Sequence, residues 1–319
     1  MQILKGIQTI HEPLAKSIVT IGNFDGVHLG HQEIFRECIR QAQASGAQAW
    51  ALTFRPHPQV ALRPATSPQL LVTYDEKLEL MAGFGLAGVV EEPFSREFSN
   101  TSPEVFFRDV LLRKLGAVAV VVGYDFAFGS GREGGLAALE HFCQQGGVKF
   151  TVLPPLRVDG EIISSSLIRQ RLLSGEVRVA QTLLGRPFFY RGVVVKGEGR
   201  GRKIGFATAN LKLESKLVLS LGVYATQAVI QGEPRIYPSV TNVGVRPTFS
   251  DPAQDLPALI ETHLLDQNID LYGRTLEVRF VERLLAERRF SGMDALKRQI
   301  TDDTERARAV LLGSASTSP

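Results

Sequence analysis

Two histidines, His28 and His31, stand three residues apart in the stretch "VTIGNFDGVHLGHQEIF", in a chain that holds only six. They follow a short apolar run, Ile18 to Ile21, and a turn made of Gly22, Asn23, Phe24, Asp25 and Gly26, with Gly30 between the histidines. Such a turn lets backbone approach a ligand closely. It also delivers a helix N-terminus, whose unsatisfied N–H groups and partial positive charge favour phosphate. Histidines placed there can donate to phosphoryl oxygens. When one phosphate attacks another, charge builds on those oxygens, so aimed donors lower the barrier without a covalent intermediate. Spacing alone equally fits a metal pair or two surface histidines. No cysteine or third histidine lies nearby in sequence to complete a zinc site.

A second constellation lies in "GEGRGRKIGFATANL", Gly197 to Leu211. By composition this is a solvated hairpin. Functionally it reads as a flap of backbone N–H groups and cations, with Gly197, Gly199, Arg200, Gly201 and Gly205 over a phosphate chain. Thr208 then offers a hydroxyl to magnesium, and Asn210 supplements the coordination or bonds the acceptor. Further on, Glu261 sits among apolar strand residues. Alone it reads as an ordinary strand carboxylate; partly buried, it is suited to accept the proton of an attacking hydroxyl. A third segment, "GSGREG" (Gly129 to Gly134), formally matches GxGxxG. Its glycines begin well after the preceding strand and no acidic residue is convincingly placed about 20 positions on, so a Gly-rich active-site loop explains it better than a dinucleotide turn.

The elements that must position these groups fall into two patterns. Through about residue 185, short apolar runs (Ile18–Ile21, Ala49–Phe54, Ala87–Val90, Val118–Val122, Phe150–Leu153) alternate with helical patterns. Continuous rather than alternating apolar runs suit strands buried on both faces, so a doubly wound parallel sheet is expected, with ligands beyond the strands' carboxyl ends. That is where the histidine turn falls. "SSSLIRQRLLSGE" and "VRVAQTLLG" close this half. After Gly185 to Phe188 the rhythm becomes purely β, through Phe189–Val195, Val223–Ile230, Tyr237–Asn242, Leu259–Leu264 and Thr275–Phe280, as in a small antiparallel barrel. One amphipathic helix after Ser291 is expected to pack over an open end of it. Residues 1–185 and 186–312 are thus expected to form two domains, and 313–319 a disordered tail.

Composition bounds the partners. The chain has 319 residues, 44% hydrophobic and 22% charged, with net charge +3. These values fit a soluble protein of two ordinary domains. The dispersed, mildly basic charge suits small anions, not nucleic acid. No apolar run approaches the length of a membrane span. The start lacks a signal-peptide core. Cys38 and Cys143 read as buried thiols of a reducing cytoplasm.

The motifs also carry a family resemblance. "GNFDGVHLGH" resembles the HxGH signature of nucleotidylyltransferases, and in full wording the bacterial bifunctional riboflavin kinase/FAD synthetase family. "TFRPHP" (Thr53 to Pro58), "VVGYDFAFGSGREG" (Val121 to Gly134) and "ISSSLIR" (Ile163 to Arg169) resemble further segments of that family in the same order. The resemblance implies that His28 and His31 contact the ATP phosphates, and that Ser164, Ser165 and Arg169 hold the triphosphate. It also implies that Asn23, His57 with Pro58, and Asp125 line the nucleotide and flavin pocket. In the second half, "GFATAN" resembles the PTAN motif of riboflavin kinases, departing from it at Ala207, where the family has proline. "TNVGVRPTF", with Arg246, and "IETHLLDQNIDLYG", with Glu261 as catalytic base, resemble the remaining kinase segments.

The resemblance therefore implies a Rossmann-like HxGH domain followed by a β-barrel kinase domain with a C-terminal helix. It implies phosphorylation of riboflavin to FMN, then adenylylation of FMN to FAD, with ATP as co-substrate and Mg2+ as cofactor. The alternative is that only the adenylyltransferase half is active and the barrel is a flavin-binding module. Oligomeric state is left open.

Overall fold

A computed structural model describes residues 1–128, 134–197, 206–213, 219–245, 258–267, 269–286, 288 and 292–313. It divides into two compact units, Met1–Ser165 and Ser166–Pro319.

The first unit contains strands β1 (Gln2–Leu4), β2 (Ser17–Ile21), β3 (Gln48–Arg55), β4 (Gly88–Pro93), β5 (Ala117–Gly123) and β6 (Lys149–Leu153). Its helices are α1 (Leu29–Ser45), α2 (Pro58–Leu62), α3 (Tyr74–Ala82), α4 (Arg96–Ser99), α5 (Pro103–Val105, running on as π-helical turns over Phe106–Lys114) and α6 (Leu136–Gln145). The sheet order is β1-β4-β3-β2-β5-β6, parallel throughout. A small hairpin, β7 (Arg157–Val158) and β8 (Glu161–Ile162), follows.

Alternate strand residues build two separate cores. Val19, Trp50, Leu52, Val90 and Val120 pack with Phe107, Leu111 and Leu139. Ile18, Ala51, Val89 and Val121 pack with Phe35 and Cys38 of α1 and Leu78 and Met81 of α3. Burial on both faces is why these strands read as unbroken apolar runs. From β2 the chain runs outward through β3 to β4, then crosses back to the other side of β2 for β5 and β6, so the sheet reverses order beside β2, at the turn bearing the histidines.

The second unit opens with α7 (Ser165–Leu173, whose first residue still belongs to unit one) and α8 (Val177–Leu184). Six antiparallel strands follow: β9 (Phe188–Val195), β10 (Ala209–Leu213), β11 (Gly222–Ile230), β12 (Ile236–Val245), β13 (Ala258–Leu264) and β14 (Thr275–Ala286). They close as β10-β13-β12-β11-β14-β9. The last helix, α9 (Met293–Gly313), sets Ala307 and Leu311 against Ala225, Val240 and Leu284. Ala225 and Val240 alternate with the inward-facing Tyr224, Thr226, Ser239 and Thr241. The helix therefore covers apolar residues of the barrel's outer wall rather than an open end, because that wall supplies the stripe its own apolar face requires. β10 escapes the sequence pattern: it is short, and it joins the barrel only by pairing with β9 and β13.

Both cysteines are free and buried. Among the described residues no helix is long and apolar enough to cross a membrane.

Candidate active sites

The turn leaving β2 contains three left-handed residues, Phe24 (φ 52°), Gly26 (φ 78°) and Val27 (φ 44°). A β-branched residue in that region is a strained outlier, and such strain concentrates at functional sites. The conformation is held locally: the Gln32 side chain donates to the Val27 carbonyl at 3.0 Å, and the Leu71 N–H donates to the Asp25 carboxylate at 2.9 Å. The Ser165 hydroxyl donates to the Asp25 carbonyl at 2.9 Å, so the second phosphate-motif segment is tied to the first. Gly22 leaves room for the Phe24 ring, which a Cβ would meet at 2.8 Å.

His28 caps α1: its Nδ1 accepts from the His31 N–H at 3.4 Å. The two imidazoles stack, with centroids 3.5 Å apart and planes at 20°, and Phe24 meets His31 edge-on at 5.3 Å. Gly30 makes this stack feasible, since a Cβ there would press the His28 ring at 3.2 Å. The His31 Nδ1 is buried without a hydrogen-bond partner among the described residues. Burial, then the neighbouring His28 and Lys77, hold the His31 pKa well below the ordinary 6.5. His31 is therefore neutral in the folded protein near neutral pH.

That depression has a consequence for stability. A group whose folded pKa lies below its unfolded one resists folding once the unfolded form protonates, so the contribution is present above about pH 6.5 and lost as pH falls below it. Trp50, the sole tryptophan, is buried in this unit and reports its unfolding alone. In urea titrations followed at Trp50, the wild type should lose more stability between pH 6.5 and 5 than His31→Leu does. Equal losses in the two proteins would show that His31 does not carry the dependence.

At the end of β3, His57 caps α2 by accepting from the Gln59 N–H at 3.2 Å, with Pro58 in the first helical turn. The His57 N–H donates to the Tyr74 hydroxyl at 2.9 Å. A pocket opens between these turns, lined by Asn23, Asp25, Phe54, His57, Tyr74 and Lys77 among others. Tyr74 and Lys77 escape a reading based on apolar periodicity. Their helix is announced instead by a capping box, Thr73 with Glu76, formed in full in the structure. Asp125 is exposed at the carboxyl end of β5, beside β2. Phe128 and Gly134 exchange two backbone hydrogen bonds. Residues 129–133, between them, lie outside the described residues. Ser164 and Ser165 are half-buried at the start of α7. Arg169, also half-buried, follows one turn later on that helix, within the second unit.

In the second unit, Asn210 on β10 lies directly opposite Glu261 on β13, and Glu261 lies opposite Asn242 on β12. Their inward-pointing neighbour Thr262 is buried in a chain of hydroxyls through Thr241 and Thr226 to Ser239, so Asn210 and Glu261 share the outer face. Gly197 closes over Asn210; a Cβ there would fall 2.2 Å from the amide nitrogen. The Asn210 Oδ1 is buried with no hydrogen-bond partner among the described residues. Thr208 stands half-buried just before β10, and His263 bonds the neighbouring Ala207 carbonyl at 2.8 Å. A hydroxyl and an amide oxygen are hard oxygen donors of the kind that suit magnesium. Gly199, Arg200, Gly201, Gly205 and Arg246 lie outside the described residues, as does the tail from residue 314.

Comparison with known proteins agrees with this division. A family model for FAD synthetase matches residues 10–167, and one for riboflavin kinase matches residues 184–311. The chain is 35% identical over 300 residues to the bifunctional riboflavin kinase/FMN adenylyltransferase of Bacillus subtilis, covering 93% of each. It is 35% identical over 309 residues to that of Escherichia coli K12, covering 97% of each. A crystal structure described as a macrolide-efflux protein from Streptococcus pneumoniae superposes with a TM-score of 0.84 at 30% identity, over 96% of this chain and 98% of that one. With a parallel sheet carrying the stacked HxGH pair, a barrel carrying the Asn210–Glu261 pair, and both halves matched in order, the chain belongs to the bifunctional riboflavin kinase/FMN adenylyltransferase family.

Proposed function

We propose that the barrel unit transfers the γ-phosphate of ATP to the terminal ribityl hydroxyl of riboflavin, and that the α/β unit transfers AMP from a second ATP to the FMN phosphate, releasing pyrophosphate. The observation that carries this reading is the stacked His28–His31 pair at the carboxyl end of the central strand, where a nucleotide's phosphates would meet donors and a helix N-terminus together. His31, neutral and buried, would donate one hydrogen bond to a phosphoryl oxygen; Ser164, Ser165 and Arg169 would hold the polyphosphate. Asn23, His57 and Asp125 would line the nucleotide and flavin pocket.

In the kinase step Glu261 would take the proton of the attacking hydroxyl, while Asn210 opposite it keeps the carboxylate's neighbourhood polar. Thr208 and Asn210 would hold a magnesium ion, which when bound neutralises polyphosphate charge. The buried, unsatisfied Asn210 oxygen supports that assignment. Two buried free thiols support a cytoplasmic setting.

Chromatography of a time course tests both steps. Riboflavin, ATP and magnesium should give FMN first and FAD after it. FAD from added FMN, but no product from riboflavin, would reduce the barrel to a flavin-binding module. No product from either flavin would sink the reading.

A further inference from the structure

Lys77 is almost wholly buried, at 4% exposure, and projects from α3 between the exits of β2 and β3. Its ammonium converges on three neutral oxygens: the Thr53 hydroxyl at 2.8 Å, the Asn23 carbonyl at 3.3 Å and the Phe54 carbonyl at 3.3 Å. The Thr53 hydroxyl in turn donates to the Asn23 carbonyl at 3.3 Å. Asn23 belongs to the turn that carries His28, and Phe54 to the strand end that leads to His57. Helix α3 grips that strand end a second time, through the Tyr74 hydroxyl that accepts from the His57 N–H. The helix itself is fixed at its start by the Thr73–Glu76 box, with bonds of 2.7 and 3.2 Å.

We propose that Lys77 is a positioning residue for adenylyl transfer: its ammonium, with Thr53, clamps the His28 turn to the His57 turn and fixes the floor of the pocket between them. This rests on the assignment of adenylyl transfer to the α/β unit. An ammonium has three N–H groups on one atom, and here all three meet protein oxygens. The group is therefore committed to holding the backbone and is not a free cation for substrate. A guanidinium would keep the charge, but its planar fork cannot gather three oxygens around one point.

Steady-state FAD formation from FMN and ATP is measured for wild type, Lys77→Met, Lys77→Arg, Thr53→Val, Thr53→Ser and the Lys77→Met/Thr53→Val double variant. Trp50 fluorescence verifies that the unit is folded. Misplacing a site by about 1 Å can cost on the order of 100-fold, so Lys77→Met should lower kcat by about 30- to 100-fold while the KM values move less than about threefold. Lys77→Arg should not restore the rate. Thr53→Ser should resemble wild type and Thr53→Val should lose about tenfold, with the double variant no slower than Lys77→Met, because the two side chains form one clamp.

A folded Lys77→Met protein with wild-type kcat, a fully active Lys77→Arg, or losses that multiply in the double variant would each overturn the proposal. If Lys77→Met does not fold, the Thr53 pair decides: an active Thr53→Val protein overturns it, and loss in Thr53→Val with retention in Thr53→Ser supports it. Wild-type protein that makes no FAD from FMN would remove the underlying assignment, and that is seen before any variant is compared.

Discussion

A chain with His28→Asn or His31→Leu should still phosphorylate riboflavin but stall at FMN, with FAD formation down by about 100- to 1,000-fold, the range set by losing one preorganised donor to a developing oxyanion. Asparagine at position 28 is chosen because the His28 side chain also caps α1, and asparagine keeps a cap of that kind while removing the imidazole. Leucine at position 31 preserves apolar packing against Phe24 and removes the nitrogen that lies buried without a partner among the described residues. The rings are stacked at 3.5 Å and act as one unit, so the double variant should be scarcely slower than the worse single one. FMN and FAD are resolved by chromatography after feeding FMN. Undiminished FAD formation in either folded single variant would show that the stacked pair is not the catalytic centre.

Glu261→Gln should do the reverse. Riboflavin phosphorylation should fall by about 100- to 10,000-fold, the contribution expected of a positioned general base, while FAD formation from supplied FMN continues. Glutamine keeps the side chain's volume and the strand pairing of β13 with β10 and β12, so a loss reports on the carboxylate and not on the barrel. Riboflavin affinity, measured by quenching of flavin fluorescence, separates two explanations: binding retained with turnover lost identifies chemistry, whereas binding lost along with turnover identifies a contact. Full kinase turnover in Glu261→Gln would exclude the carboxylate as the base.

Much of this arrangement was legible in the chain. The continuous apolar runs announced strands buried on both faces, and the parallel sheet follows from them because connections between parallel strands require helices. The alternation from Phe189 onward announced the barrel. The glycines of the histidine turn announced a tight passage from strand to helix, which is where the structure has it.

Other features were not legible, for identifiable reasons. β10 has only five residues and no apolar run of its own; it becomes a strand through hydrogen bonds to β9 before it and to β13, distant in sequence. α3 carries a weak apolar periodicity, and its signal lay in the Thr73–Glu76 pair instead. The rhythm of the sequence changes near Gly185, whereas the compact units divide at Ser165/Ser166, because α8 packs against β9 and β14 of the barrel.

The sequence by itself thus determined most of the elements and their division into a parallel sheet and a barrel, since these depend on local pattern: periodicity, caps, and glycine where backbone must come close. Only the tertiary structure decided which groups meet. The stack of His28 on His31 requires the left-handed turn at Phe24 to Val27, the facing of Asn210 and Glu261 requires one register between β10 and β13, and the Lys77 clamp requires α3 to lie across two strand ends. Each depends on long-range packing and register, where a shift of one residue turns a side chain to the opposite face.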